Sequence, residues 1–308
     1  MLVSPGRPGG DATHRHAAGA ATSNMTPPPI ATLLEFCNRL HGTCESILAI
    51  RFPMKEEDHL GFMLAVFALV QLDHLRSVVL LVEARLFGQA TIIARCMLEG
   101  FGYTYWAKDH PSRAKNWRAY SLVHDLKLLR RLQKDGKPVD ADREPELLGH
   151  LESDAQQFLK KKPRADARAG GIASVVSDPA NYHSVWHVDD EGDPVPVGEI
   201  IGSGLDEALK NHYFALSAHA HWRADGLGRY ISHTSFGSEI NTHAEPGDGA
   251  GALAMAFQAC VQTFALLVVH FSISPDVSLQ DLKQEYVEAL SKTVSVATPA
   301  SPPRQPGT

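Results

Sequence analysis

The stretch QATIIARCMLEGFGYTYWAK, residues 89–108, is apolar on nearly every side of a helical wheel, with Arg95 and Glu99 as its internal charges. A helix that is hydrophobic all round is normally central in its domain, so this one requires a shell of amphipathic neighbours. Upstream, past Pro27-Pro28-Pro29, apolar residues recur at helical spacing through Ile30, Leu33, Leu34, Cys37, Leu40, Cys44, Ile47 and Leu48, which predicts a first helix. After Arg51-Phe52-Pro53 a longer helix is predicted from about Lys55 to Leu86. Its acidic Glu56, Glu57 and Asp58 suit the positive end of the helix dipole. Gly88 reads as the joint between that helix and the central one.

Downstream, Ser112 to Lys134 predicts a polar, amphipathic fourth helix, capped by Ser112 and stopped by Asp135-Gly136-Lys137-Pro138. A fifth is expected from Pro145 to Lys162. From Pro163 to Gly204 neither period is sustained, so this is a long irregular loop or insertion in which short helical turns can be hidden. Helix returns over Leu205 to Trp222, over Gly249 to Ser274 and over Leu279 to Ser291, and no strand pattern competes with it. The expected fold class is all-α: one helical bundle of about six to eight helices over residues 29–292, with the 163–204 loop between the fifth and sixth. Residues 1–28 and 293–308 read as a disordered leader and tail.

The 308 residues carry a net charge of -6, which argues against a surface that attracts nucleic acid or anionic lipid as a whole. Between Asp248 and Asp276 no charge occurs over a length that would cross a bilayer. Gln258, Gln262 and His270, the lack of flanking Lys or Arg, and the small residues Ala252, Ala256 and Ala259 favour a buried bundle helix, without stable membrane insertion. The four cysteines form no Cys-x-x-Cys pair and lie in apolar helical patterns, as small hydrophobes would. A reducing cytoplasmic location is the matching expectation.

Arg95 and Glu99 stand one turn apart on the apolar central helix, where an unpaired charge is costly and a paired one is tolerated. They read either as an ion pair that fixes helix register or as an anion clamp and a base. In NHYFALSAHAHW, Tyr213, Ser217 and His221 follow at i, i+4 and i+8 and form one polar stripe. His221 is the candidate general acid or base of that stripe. The fourth helix is locally basic, with Arg113, Lys115, Arg118, Lys127, Arg130, Arg131 and Lys134 against Asp125 and Asp135. It also holds Tyr120 and His124. Arg118 and His124 have the Arg-to-His spacing of helical RNA-cleaving nucleases, but two other pairs in the chain, Arg7–His14 and Arg143–His150, have it by chance as well. Sixteen histidines invite a metal, yet neither a paired Glu-x-x-His set nor a second ligand cluster for the 183–189 loop is present, so no metal and no cofactor are expected.

The motifs Arg95-x-x-x-Glu99 in ARCMLEG, the aromatic and basic helix RAKNWRAYSLVHDLKLLRRL and Tyr213-x-x-Leu216-Ser217-x-x-x-His221 together resemble a bacterial all-helical family of unknown function, numbered five-six-seven-seven. The resemblance runs over about Leu60 to Phe271. It implies that these segments pack together, so that Arg95, Glu99, Tyr213, Ser217 and His221 share a polar pocket. It supplies no activity. The expected function is recognition of a small anionic or phosphate-containing ligand, or RNA. In its enzymatic form this is phosphodiester hydrolysis, with Arg95, Glu99 and His221 catalytic and Tyr213, Ser217, Tyr120 and His124 binding substrate. The alternative is an interaction or regulatory protein in which these residues are structural. A homodimer is compatible with either.

Overall fold

The computed structural model describes residues 30–140, 142–204, 210–211, 213, 231–234, 237–240 and 246–296. The leader, most of the tail beyond Val296, and most of the predicted 205–222 helix lie outside these residues.

The bundle is built from α1 (Ile30–Ala49), α2 (His59–Glu83), α3 (Phe87–Lys108), α9 (Pro246–His270) and α10 (Leu279–Val296). The central helix is α3, as its apolar wheel requires, and it packs chiefly on α9 and α2. The uncharged segment is α9, whose Ala252, Ala256 and Ala259 are fully buried against these neighbours. Among the described residues, α2 and α9 are long and apolar enough to cross a membrane.

Helix boundaries follow local chemistry. The Asp58 carboxylate accepts from the Gly61 N–H at 2.8 Å and caps α2. Where Gly88 is expected to mark the joint, α2 instead ends at Glu83 and the chain turns at Arg85, held at φ 59°. Its N–H bonds the Val82 carbonyl, and the Leu86 N–H reaches back to Leu81 at 2.8 Å. Gly88 lies buried inside α3. The fourth helix, α4 (Pro111–Lys134), opens on a proline rather than on a Ser112 cap. It stops at Gly136 (φ 65°), within the predicted terminator.

The fifth helix, α5 (Arg143–Asp154), ends well before Lys162, because Ala155 leaves helical geometry (φ -124°, ψ 7°) and, after a single 3-10 turn, Leu159 is extended. The 163–204 stretch is ordered and contains short helices: α6 (Lys161–Asp166), α7 (Ile172–Val176) and α8 (Val197–Gly204). Arg164 secures it, donating to the carbonyls of Leu159 (2.5 Å), Gly192 (2.7 Å) and Glu191. A two-stranded antiparallel hairpin, β1 (Ile231–Thr234) and β2 (Gly237–Ile240), corrects the expectation of no strand. The chain remains an all-α bundle.

Two hydrophobic clusters result. The larger fills the space between α1, α2, α3, α9 and α10. The smaller joins the inner face of α4, through Tyr120, Val123, Leu126 and Leu129, to Leu147 and Leu151 of α5 and to Phe158, Val176 and Tyr182 of the following segment. Trp186 is half-buried and packs against both clusters.

Candidate functional site: a polar clamp and a groove at a seam

Arg95, Glu99 and Tyr103 follow at one-turn spacing along α3. The Arg95 Nη2 donates to Glu99 Oε1 at 2.6 Å. The Tyr213 hydroxyl donates to the same oxygen at 2.8 Å, and the guanidinium carbon lies 5.5 Å from the Tyr213 ring centroid. The side chains of Arg95 and Glu99 are only 13% and 21% exposed, so a common carboxylate oxygen receives two strong donors in a setting largely shielded from water. Burial, the hydrogen bond to Glu99 and the charge of Glu99 together push the Tyr213 phenol up to about 12. It therefore stays protonated at neutral pH and acts as a donor. Three residues predicted to meet do so; Ser217 and His221 lie outside the described residues.

Glu99 also borders a cleft of ≈ 270 Å³ between α2, α3 and α4, whose aromatic walls are Phe67, Tyr103, Trp117 and Trp186. Gln71 lies in this lining at 2% exposure. Its Nε2 donates to the Met97 carbonyl at 2.7 Å, which fixes the other amide atom as the oxygen, and that Oε1 is buried without a hydrogen-bond partner. Gly100 makes room for Gln71, since a Cβ there would lie 3.0 Å from the amide nitrogen. His187 stacks on Tyr103 with ring centroids 5.6 Å apart. Its Nδ1 lies 2.7 Å from the Val195 carbonyl, so Nδ1 carries the proton of the neutral ring and Nε2 has the lone pair. Burial holds the His187 pKa below its ordinary value, against the opposing pull of the Val195 bond and of Glu99.

Trp117 and Trp186 also border a second cavity of ≈ 410 Å³, along with Phe62, Tyr120, Arg118, Ser121 and His124. Here the two α4 candidates separate. Tyr120 is buried, donates its hydroxyl to the His183 carbonyl at 2.7 Å and sets its ring edge-on to Phe158. It anchors the 163–204 segment to α4. His124 is exposed and stands edge-on to Tyr120. Arg118 covers the Phe62 ring at 5.0 Å and donates through Nη1 to the Glu56 carbonyl at 3.1 Å. It has no carboxylate partner among the described residues. Arg118 and Ser121 continue into a third cavity of ≈ 430 Å³ with Lys115, His59, His150, Glu56 and Asp154. Its two fixed positive charges are balanced by two carboxylates. Among the described residues, the middle cavity is lined by Arg118 and by no carboxylate.

Sequence reasoning missed Tyr103, Gln71 and Trp186. The i+4 step from Glu99 could have pointed to Tyr103, whereas nothing in the sequence marks Gln71 as inward-facing. His187 belongs to the loop weighed only for metal. Among the described residues no three His, Cys, Asp or Glu side chains converge as metal ligands. Cys37, Cys44 and Cys260 are buried as expected, but Cys96 is exposed and lies at the cleft.

Fold and site define an all-helical bundle protein with a buried Arg–Glu–Tyr clamp and an aromatic groove where its two hydrophobic clusters meet. The chain belongs to the family of unknown function DUF5677, whose family model matches residues 62–238. No curated protein and no solved structure matches it.

Proposed function

We propose that the groove binds a phosphate-containing small molecule, with the phosphate at Arg118 and His124 and a planar group against Trp117 and Trp186. The observation that carries this reading is the charge count of the middle cavity. Arg118 is the only fixed charge among its described lining residues, aromatic walls lower the local dielectric around it, and a small-ligand pocket typically has roughly 300–1,000 Å³. Arg95, the clamp favoured by sequence, is a poorer candidate because its Nη2 is already committed to Glu99 at 2.6 Å. Ser121 contributes little as a donor, since its hydroxyl bonds the Arg118 carbonyl at 2.8 Å. The aromatic and basic lining also matches what stacked nucleotides require.

A hydrolytic form of the reading is favoured by one further observation: Arg118 and His124 line the same cavity. There His124 would take the proton of an attacking water whose oxygen bonds to phosphorus as the ester P–O bond breaks, that proton ending on the departing ester oxygen, while Arg118 would hold the developing charge.

Tryptophan emission reports binding, because Trp117 and Trp186 form the walls. Titration with ribose 5-phosphate and with nucleoside monophosphates should quench it saturably. Arg118→Ala should weaken binding about tenfold, or ~1.4 kcal/mol, and added salt should weaken wild-type binding. Unchanged affinity in Arg118→Ala would remove the phosphate assignment. Failure of every phosphate compound to bind would leave the interaction-protein alternative. For hydrolysis, a short single-stranded RNA should be degraded by wild type and spared by His124→Ala, and equal degradation by both would eliminate the catalytic role.

A further inference from the structure

The ≈ 270 Å³ cleft beside the middle cavity sets two acceptor groups, on Glu99 and Gln71, among side chains that can also donate, His74, Tyr103, Trp117 and Trp186. Glu99 Oε1 is occupied by Arg95 and Tyr213, whereas Oε2 has no partner among the described residues. The Gln71 Oε1, fixed as the acceptor end of its amide, is buried and unsatisfied. Leaving such an oxygen unmet is costly, and a bound donor would recover that cost. Around these two acceptors stand Phe67, Tyr103, Trp117 and Trp186, which favour a flat ring between them.

Charge decides what kind of donor fits. An organic cation would suit an aromatic cage with a carboxylate, but the Glu99 charge is already compensated by Arg95 at 2.6 Å. A second cation would face that guanidinium in a site largely shielded from water, where their repulsion is weakly screened. A neutral ring with N–H groups on one edge meets the acceptors without this repulsion. Trp117 and Trp186 border both cavities, so such a ring would be attached to a phosphate lying at Arg118.

We propose that this cleft reads the donor edge of a nucleobase, and that the ligand is a purine nucleotide presenting adjacent N–H groups, as guanine does with N1–H and its 2-amino group. The inference rests on the phosphate reading of the neighbouring cavity. Glu99 Oε2 accepts from the ring N–H or the amino group, Gln71 Oε1 accepts a further N–H at the cleft floor, and Tyr103 and the tryptophans hold the ring plane. Adenine, with an acceptor at N1, places a lone pair against the carboxylate and is disfavoured.

The test compares GMP, IMP, AMP and ribose 5-phosphate by tryptophan quenching and calorimetry on the full chain. Expected is tightest binding of GMP, about tenfold weaker binding of IMP, which lacks the 2-amino group, and weaker binding still of AMP. Glu99→Gln should erase the GMP preference while ribose 5-phosphate binds as before. Because loss of Glu99 also disturbs Arg95, Gln71→Met serves as a second variant, and it should narrow the same preference. If ribose 5-phosphate binds and GMP binds no tighter than AMP, or if both variants keep the wild-type preference, base reading is wrong and the phosphate site stands. If no nucleotide and no ribose 5-phosphate binds, the groove reading fails with it.

Discussion

Tyr213 joins the Arg95–Glu99 pair from 114 residues further along the chain than Glu99, so one hydroxyl ties a late segment to the central helix. Tyr213→Phe removes a donor to a partly buried carboxylate and should cost about 1.5–3 kcal/mol in denaturant unfolding. Arg95→Lys should not restore wild-type stability in place of Arg, because an ammonium cannot reproduce the planar fork that lies over the Tyr213 ring. Asp58 makes a different kind of link, capping α2 while His270 Nε2 lies 2.8 Å from its Oδ2. Burial works to raise the Asp58 pKa, but the hydrogen bonds from His270 and Gly61 and the charges of His270 and His59 outweigh it, leaving the carboxyl below its ordinary value. The stabilisation is therefore complete above the ordinary carboxylate pKa and is lost as pH falls through the lower native value. Asp58→Ala should cost about 1 kcal/mol at neutral pH, with the difference from wild type shrinking in strong acid. Arg95 and Glu99 were legible because charge on an apolar wheel has few explanations. Gln71 was not, since a polar residue on a long helix gives no sign of which way it faces.

At the scale of elements, the tight meeting of α3 and α9 depends on an absent side chain. A Cβ on Gly249 would come within 2.5 Å of the Phe87 ring. Gly249→Ala should destabilise by about 1–3 kcal/mol, read from the shift of the urea midpoint at constant slope. Gly102 plays the same part toward α8, where a Cβ would meet Ile201 Cγ1 at 2.9 Å. The long helices were readable from the sequence because their apolar periods extend over many turns. The 163–204 segment was not, for its helices are too short to show a period, and its order comes from Arg164 bonding distant carbonyls and from Tyr120 holding His183. The hairpin escaped for a related reason, as strands of four residues are too brief for alternation to stand out. Arg85 misled the placement of the joint because a left-handed residue is normally expected to be glycine.

For the molecule as a whole, the many histidines make acidity a stability variable. Burial holds His74, His183 and His187 below the ordinary imidazole pKa, aided for His183 by the positive charges of Arg164 and Lys160. The unfolded chain takes up their protons near pH ~6.5, before the native state does. Stability is then greatest above that pH and falls as acidity increases toward the lower native values. Thermal unfolding should show a lower Tm at pH ~5.5 than at pH ~7.5, and His187→Gln should flatten part of that slope. A flat profile in wild type would contradict the buried neutral assignment. Trp186 gives this whole-molecule picture a kinetic side. Since it packs on both hydrophobic clusters, the groove exists only while the 158–188 segment is docked on α4. Any partial opening that lifts this segment dismantles the site without melting the main bundle. A ligand held there thus acts as a brake on that opening, and amide hydrogens around Phe158, Val176 and Tyr182 should exchange more slowly in its presence while those of α9 are unchanged.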